Sequence, residues 1–351
     1  MLLYIHIPFC DSKCHYCAFN SYVDKFEEKQ NYMSALKEQL HFELKRFNVQ
    51  AGDIKTLFIG GGTPSTIKPD LYAPIFKILK PYLSNCIELT SEANPNSASK
   101  EWLKGMYELG INRISFGVQS FNDEKLKLLG RAHKAQDAIN AINNARDIGF
   151  VNLSLDIIYA TAGDSKELLG NDLKKAFSLP INHLSAYALT IEENTPFEKK
   201  PKLSDEKLEL TEWFFKKIEA NGFKQYEISN FGSYQSRHNL GYWKQKDYIG
   251  IGSGAVGFLK DKRFYPSTNI EKYIKNPTKT QIESLTKEEL LSEHIFLGLR
   301  GETGVNYSRL TKGQQKRADI LIKEKKIILK NSRLHNLNYL LSDEIALFIE
   351  N

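Results

Sequence analysis

Short apolar runs rich in β-branched and aromatic residues alternate with longer amphipathic stretches along the first part of the chain. Short runs of this kind predict strands, and apolar residues at helical spacing predict helices. The predicted strands are residues 2–7, 56–60, 86–92, 113–117, 151–158 and 183–187. The predicted helices between them are residues 26–47, 99–109, 134–147 and 166–178.

This alternation of strands and helices predicts the fold class. Parallel neighbours in a sheet need a crossover connection, so six successive strand–helix units predict a parallel α/β sheet. A complete barrel of this kind has eight units. We therefore expect an incomplete (β/α)6 TIM-like barrel over residues 1–200.

Two further regions follow the predicted barrel. Residues 201–285 form a connecting region with one amphipathic helix and an aromatic, glycine-rich stretch at 226–258, whose structure the periodicity does not predict. Residues 286–351 contain a helix at 287–300, a basic helix near 312–325, a strand at 326–330 and a final apolar stretch. That order predicts a small C-terminal helical, winged-helix-like domain.

The composition is that of a globular protein. Of the 351 residues, 41% are hydrophobic and 26% are charged, which excludes collagen, a coiled coil and wholesale disorder. The net charge is +6, and residues 309–333 hold nine basic and two acidic residues, which we interpret as a solvated helix face rather than a nucleic-acid contact. No apolar run approaches roughly 18 residues and no signal peptide is recognisable, so we expect a cytoplasmic protein.

Three of the four cysteines, Cys10, Cys14 and Cys17, lie within eight residues, directly after the first predicted strand. An odd, tightly spaced set is a poor disulfide framework, and clustered thiolates favour a soft metal. A structural zinc site needs four closed ligands, and His15 is the one further ligand nearby. Three thiolates on a [4Fe-4S] cluster leave one iron open, and we favour this interpretation. Cys86 matches no motif and is expected as a small buried side chain at a strand start.

Polar or glycine-rich residues follow the other predicted strands, and reactive groups in β/α barrels collect at these C-terminal strand ends. Gly61 and Gly62 have no Cβ and would let a ligand approach the backbone, with the Thr63 hydroxyl beside them. Glu92 is suited to accept hydrogen bonds from a ribose or an amine. The same argument extends to three further residues, Gln119, Arg131 and Asp156.

The C-x3-C-x2-C motif resembles that of the radical S-adenosylmethionine superfamily. YIHIPFC, GGGTPS, EANP, ISFGVQSFN, LDIIYA, YEISNF and HNLGYW also occur in the order typical of its oxygen-independent coproporphyrinogen dehydrogenase-like family. The resemblance implies a [4Fe-4S] cluster on the three cysteines, whose open iron binds the methionine moiety of S-adenosylmethionine. The contacts that it implies for this ligand are Tyr4, Tyr16, Gly61, Gly62, Thr63, Glu92, Gln119, Arg131 and Asp156, with Arg131 paired to the carboxylate.

Two departures separate this chain from the genuine dehydrogenases of that family. Those proteins carry a further cysteine where this chain has Phe19, and an extended segment before the motif where this chain has nine residues. Both departures, together with an HNxxYW motif, resemble the heme chaperones of the family. The resemblance implies heme contacts from His238, Asn239, Tyr242 and Trp243, with the imidazole ligating iron and the aromatic rings facing the porphyrin. Without the resemblance, these aromatic residues would be interpreted as core.

Three hypotheses follow for the function. The first is a protein that binds heme and transfers it to acceptor apoproteins, with membrane-bound respiratory proteins as candidates and a reductant serving the cluster. The second is an enzyme that oxidatively decarboxylates coproporphyrinogen III through a 5′-deoxyadenosyl radical. The third is an inactive barrel used as a binding module.

Overall fold

The structure is a computed structural model that describes residues 1–351 apart from the side chain of Cys86, so the expectation for Cys86 lies outside the described residues. Six parallel strands form its centre, side by side in chain order. They are β1 (Leu2–Ile7), β2 (Ile54–Gly61), β3 (Leu83–Ala93), β4 (Arg113–Gln119), β5 (Asn152–Tyr159) and β6 (His183–Ala188). The connecting helices are α1 (Lys29–Arg46), α2 (Pro69–Leu79), α3 (Lys100–Glu108), α4 (Asp123–Leu128), α5 (Ala135–Ile148) and α6 (Lys166–Phe177). The predicted α/β class with an incomplete six-stranded barrel is confirmed.

The two faces of the strands differ in chemistry because successive side chains of a strand point to opposite sides. In β1, Leu3, Ile5 and Ile7 are fully buried in the main hydrophobic core that the strands share with the helices. Tyr4 and His6 occupy the opposite face, and their side chains share a hydrogen bond. The inner face of β1 therefore carries polar groups, which need partners or a ligand.

The connecting region after residue 200 belongs to the same sheet and extends both of its edges. It contains α7 (Leu208–Ala220), β7 (Asn230–Gly232), α8 (Arg237–Trp243), β8 (Tyr248–Ile251), β9 (Gly257–Leu259), β10 (Lys262–Pro266), α9 (Ile270–Lys275) and β11 (Thr280–Ser284). Strand β7 pairs antiparallel with β6, and β8 pairs parallel with β1 and continues through β9 and β10 to β11. The sheet thus has eleven strands, with α8 between the two added edges in sequence.

The C-terminal residues form a smaller unit with its own hydrophobic core. It contains α10 (Lys287–Leu299), β12 (Val305–Asn306), α11 (Lys312–Lys323), β13 (Ile327–Lys330), β14 (Arg333–Asn336) and α12 (Ser342–Glu350). The three strands pair antiparallel in the order β12-β14-β13, and the three helices surround one side of that core. None of the described helices combines the length and the apolar character that crossing a membrane requires.

Candidate cofactor site and adjoining cavity

The cysteine loop lies directly after β1, at the C-terminal end of the parallel strands. Main-chain hydrogen bonds hold it: Cys10 N–H donates to Tyr22 O (3.0 Å) and Cys17 N–H donates to Cys14 O (3.2 Å). Cys10 is buried, Cys14 and Cys17 are half-buried, and all three are free thiols. Burial raises the pKa of the Cys10 and Cys17 thiols, so metal binding would release protons from them.

His15 lies in the same loop but is engaged elsewhere. Its Nδ1 donates to Leu128 O (2.9 Å), and its ring lies against Gly130 and Phe197. Among the described residues, no three His, Cys, Asp or Glu side chains converge closely enough to hold a single metal ion.

Two polar side chains contact the cysteine sulfurs. Thr63 Oγ1 lies 3.4 Å from Cys10 Sγ, and Arg131 Nη1 lies 3.1 Å from Cys14 Sγ. The other terminal nitrogen of Arg131 donates to Asn94 Oδ1 and to a main-chain oxygen of β4, both at 2.7 Å. Its Nε is buried without a hydrogen-bond partner among the described residues. Arg131 thus joins the cysteine loop to β3 and β4 and keeps one donor unused.

The glycines at the end of β2 pack tightly against the cysteine loop. A Cβ on Gly61 would lie 2.4 Å from the His6 ring, and one on Gly62 would lie 2.9 Å from Phe9 O. Gly61 also has φ = +111°, a conformation that side chains with a Cβ rarely adopt. The space that a Cβ would take at Gly61 and Gly62 is thus filled by β1 and the cysteine loop, and contact of a ligand with their main chain stays a prediction.

Two carboxyl groups lie on the inner face of the barrel, on β3 and β5. Glu92 Oε2 accepts a hydrogen bond from Gly61 N–H (3.2 Å), and Ser115 Oγ donates to Asp156 Oδ1 (3.4 Å). Burial and the nearby Asp156 raise the pKa of Glu92 to about 8, and burial raises the pKa of Asp156 to about 6. Both groups can therefore gain or lose a proton near neutral pH and can bind an amine or a hydroxyl.

The remaining predicted cofactor contacts are distributed around the same strand ends. Tyr4 OH shares a hydrogen bond with His6 Nδ1 (3.0 Å). Tyr16 packs against a small apolar cluster that contains Leu129, and Gln119 is buried at the end of β4 with φ = +69°. The predicted residues thus come together on β1 to β5 and on the loops that follow them.

These residues fit the two cofactors that the sequence implies. Three free thiols on one loop are the donor set of an iron–sulfur cluster with an open iron. The unused Arg131 Nε suits a carboxylate, and the two carboxyl groups suit an amine or a ribose. A site for the amino acid moiety of a ligand needs a cation for its carboxylate and a carboxylate for its amine, and these residues include both.

Helix α8 carries the HNLGYW sequence and is attached to the barrel by Glu88 of β3. This side chain is fully buried and accepts hydrogen bonds from the main-chain N–H groups of Arg237 and His238 at 2.9 Å and from Tyr234 O–H at 2.5 Å. An acidic group at the first turn of a helix also opposes the helix dipole favourably. No motif marks Glu88, and sequence reasoning missed it.

His238 is buried within the barrel wall, and both of its ring nitrogens have partners. Nδ1 shares a hydrogen bond with Thr56 Oγ1 (2.8 Å), and Nε2 shares one with Tyr242 OH (3.0 Å). Burial, followed by the charge of Arg113, lowers the pKa of His238 to about 3, so the ring is neutral. Iron ligation through Nε2 would have to displace the Tyr242 hydroxyl, while the Thr56 bond would keep the ring in position.

A cavity of about 570 Å³ adjoins this histidine, bounded by β1, β2, α8, β8 and α10. Its aromatic walls are Tyr4, Phe58, Tyr242, Tyr248, Phe258 and Phe296. His238 and Tyr242 line it, but Asn239 and Trp243 do not, because they lie on another face of α8. The structure therefore brings two of the four motif residues to this cavity, and heme contacts from Asn239 and Trp243 stay a prediction. Two cationic side chains, Lys246 and Arg263, also reach the cavity, and Arg263 pairs with Glu293.

Sequence reasoning missed most of the cavity. Phe58 lies on the inner face of β2, and its ring centroid is 5.3 Å from that of His238. Tyr248 packs edge-on against Tyr242 at 4.8 Å, and Phe296 comes from the C-terminal unit. In the sequence, only the high aromatic content of residues 226–258 indicates an aromatic site, and it does not predict which rings contact each other.

The chain is similar in sequence to several known proteins. Residues 4–176 match the radical SAM superfamily. The heme chaperone HemW of Bacillus subtilis (strain 168) is 38% identical over 324 residues, covering 87% of this chain and 85% of its own length. The heme chaperone HemW of Escherichia coli (strain K12) is 40% identical over 263 residues, covering 73% of this chain and 69% of its own length.

The fold is also that of a solved structure whose match extends over the entire chain. It is the coproporphyrinogen III oxidase HemN from Escherichia coli, a radical SAM enzyme, with a TM-score of 0.83 over 100% of this chain and 90% of that chain. The two sequences are 20% identical, so the likeness shows a shared fold and carries no further statement about activity.

Proposed function

Since the chain belongs to the heme chaperone HemW family of the radical SAM superfamily, we propose that it binds heme and transfers it to acceptor apoproteins. The proposal includes a [4Fe-4S] cluster on Cys10, Cys14 and Cys17, and S-adenosylmethionine beside it. The observation that carries it is the aromatic cavity next to His238, because flat apolar walls with one neutral imidazole suit a metalloporphyrin.

His238 is the proposed axial ligand. Its low pKa keeps the imidazole unprotonated, as metal ligation requires. Thr56 fixes the ring through Nδ1, so Nε2 is the nitrogen directed at Tyr242 and the cavity. The heme propionates would find cationic partners in Lys246 and Arg263.

The cofactor site lies on the same strands as the cavity. Tyr4 belongs to both, because it lines the cavity and bonds to His6 beside the glycines of β2. A cluster held by Cys10, Cys14 and Cys17 would supply electrons from an external reductant to S-adenosylmethionine. Arg131 and Glu92 would hold the ligand's carboxylate and its polar groups, and Thr63 and Tyr16 would flank it.

A heme titration tests the proposal. Binding of ferric heme to the wild type should be saturable with a Soret band typical of histidine ligation. His238→Ala should weaken binding and shift that band while the cluster stays intact, and His41→Ala, which removes an exposed histidine of α1, should change neither. Equal affinity and the same band in His238→Ala would contradict ligation by this residue.

The cluster is tested separately. A triple Cys10, Cys14, Cys17→Ala variant should lose the visible charge-transfer absorption and the bound iron after reconstitution. Cys86→Ala, outside the motif, serves as the control and should retain both. Iron and absorption kept by the triple variant would overturn the assignment of the cluster to these thiols.

A further inference from the structure

A second cavity, of about 530 Å³, lies where α8 ends against the C-terminal unit and is separate from the aromatic cavity. Its lining includes Lys244 after α8, His294 of α10, Arg309 after β12, and Arg333 and His335 of β14. We call it the basic pocket. Neither the cofactor site nor the proposed heme site uses any of these residues.

The basic pocket is rigidly built on one side. Arg333 donates through Nε to Thr303 O (2.5 Å) and through Nη2 to Gly304 O (2.6 Å), which clamps the loop between α10 and β12. Asn306 N–H donates to His294 Nε2 (3.0 Å), which leaves Nδ1 of that ring to carry its proton. The wall of the pocket is therefore fixed by main-chain contacts.

The charge of the basic pocket is not balanced by the protein. Lys244 and Arg309 are exposed, and neither forms an ion pair with a described residue. Glu302 is the one carboxylate in the described lining, against three permanent cations. Such an excess of one charge in a concave site attracts the opposite charge.

The two imidazoles of the basic pocket lie beside the same positive charges. Burial, followed by the charges of Arg309 and Arg333, lowers the pKa of His294 to about 4. Burial, followed by Arg333 and Lys330, also lowers the pKa of His335. A bound anion would offset these positive charges and raise the pKa of both rings.

We propose that the basic pocket binds a small molecule with more than one oxyanion group, phosphate or carboxylate, paired with Lys244, Arg309 and the free terminal nitrogen of Arg333. The volume exceeds that of a single ion and lies within the usual range for small-molecule sites. Guanidinium groups bind both kinds of oxyanion through paired hydrogen bonds. This proposal does not depend on heme binding.

Calorimetric titration of the full-length protein with inorganic pyrophosphate and, separately, with succinate tests the proposal. We expect saturable one-site binding of at least one probe, and binding of one probe alone identifies its oxyanion class. Binding should also raise the pKa of His294 and His335, followed by proton NMR.

A Lys244→Gln/Arg309→Gln double variant should weaken that binding by about tenfold or more, equivalent to about 1.4 kcal/mol, because it removes two of the three cations proposed to pair with the oxyanions and exposed charges contribute modestly. Both residues are exposed, so the fold should persist. Lys316→Gln is the matched control, because it removes an exposed cation of α11 that does not line the pocket. Absence of saturable binding of both probes, or an equal loss in the control, would overturn the proposal.

Discussion

Tyr242→Phe separates two roles that this tyrosine could have in heme binding. The substitution removes the hydroxyl bonded to His238 Nε2 (3.0 Å) and keeps the ring contacts to His238 and Tyr248, both 4.8 Å between centroids. A neutral hydrogen bond of this kind contributes about 0.5–1.5 kcal/mol. If iron must displace it to reach Nε2, its removal should tighten heme binding by about 2- to 10-fold.

The assay is a ferric heme titration followed at the Soret band, with Tyr107→Phe as the control because this exposed tyrosine of α3 does not line the cavity. The Tyr242→Phe variant should bind more tightly with an unchanged band, and the control should match the wild type. A weaker affinity and a shifted band for Tyr242→Phe would refute ligation through Nε2, since the phenol oxygen would then be the group that binds iron.

Three further predictions concern stability and cofactor loading. Because the folded protein holds a proton on Glu92 up to about pH 8, whereas the unfolded chain releases it near pH 4.5, the stability of the fold decreases as pH rises across that window. Glu92→Gln should reduce this loss in a thermal-melting series without S-adenosylmethionine. An unchanged pH dependence of the variant would contradict the raised pKa. Asp164→Asn should destabilise the fold by about 3–5 kcal/mol in denaturant unfolding, because the buried Lys125 ammonium, 2.6 Å away, loses its counter-charge. An unchanged free energy of unfolding would show that water reaches the pair. Gly61→Ala should lower the free energy of unfolding by about 1–3 kcal/mol through backbone strain and should displace His6. The displacement should lower the iron content per chain after reconstitution. Full iron loading of the variant would contradict the tight packing.

The sequence predicts the barrel well because its signals are local. The apolar run at residues 2–7 coincides with β1, and the strand at His183–Ala188 is predicted to within one residue. Helix α2 was missed because Pro69 and Pro74 interrupt the helical pattern, although Pro69 opens the helix and Pro74 lies inside its first two turns. The edge strands β7 to β11 are three to five residues long, too short for periodicity to indicate them.

One part of the candidate site could be predicted from local sequence, and the other part could not. The cysteine loop could be predicted because its three thiols lie within eight residues. The surroundings of His238 could not, since its contacts to Thr56 and Glu88 span 182 and 150 positions of the chain. Asn239 and Trp243 share a motif with His238, but helical geometry turns them away from the cavity, a separation that a linear motif does not reveal.

Heme chaperone and coproporphyrinogen dehydrogenase differ most directly in what happens to the tetrapyrrole. The reconstituted protein would be incubated anaerobically with a reductant, S-adenosylmethionine and coproporphyrinogen III, and the tetrapyrrole analysed by mass spectrometry together with 5′-deoxyadenosine. We predict an unchanged tetrapyrrole from protein with a full cluster and heme-binding capacity. Loss of two carboxyl groups with matching 5′-deoxyadenosine would contradict the chaperone function and establish the dehydrogenase.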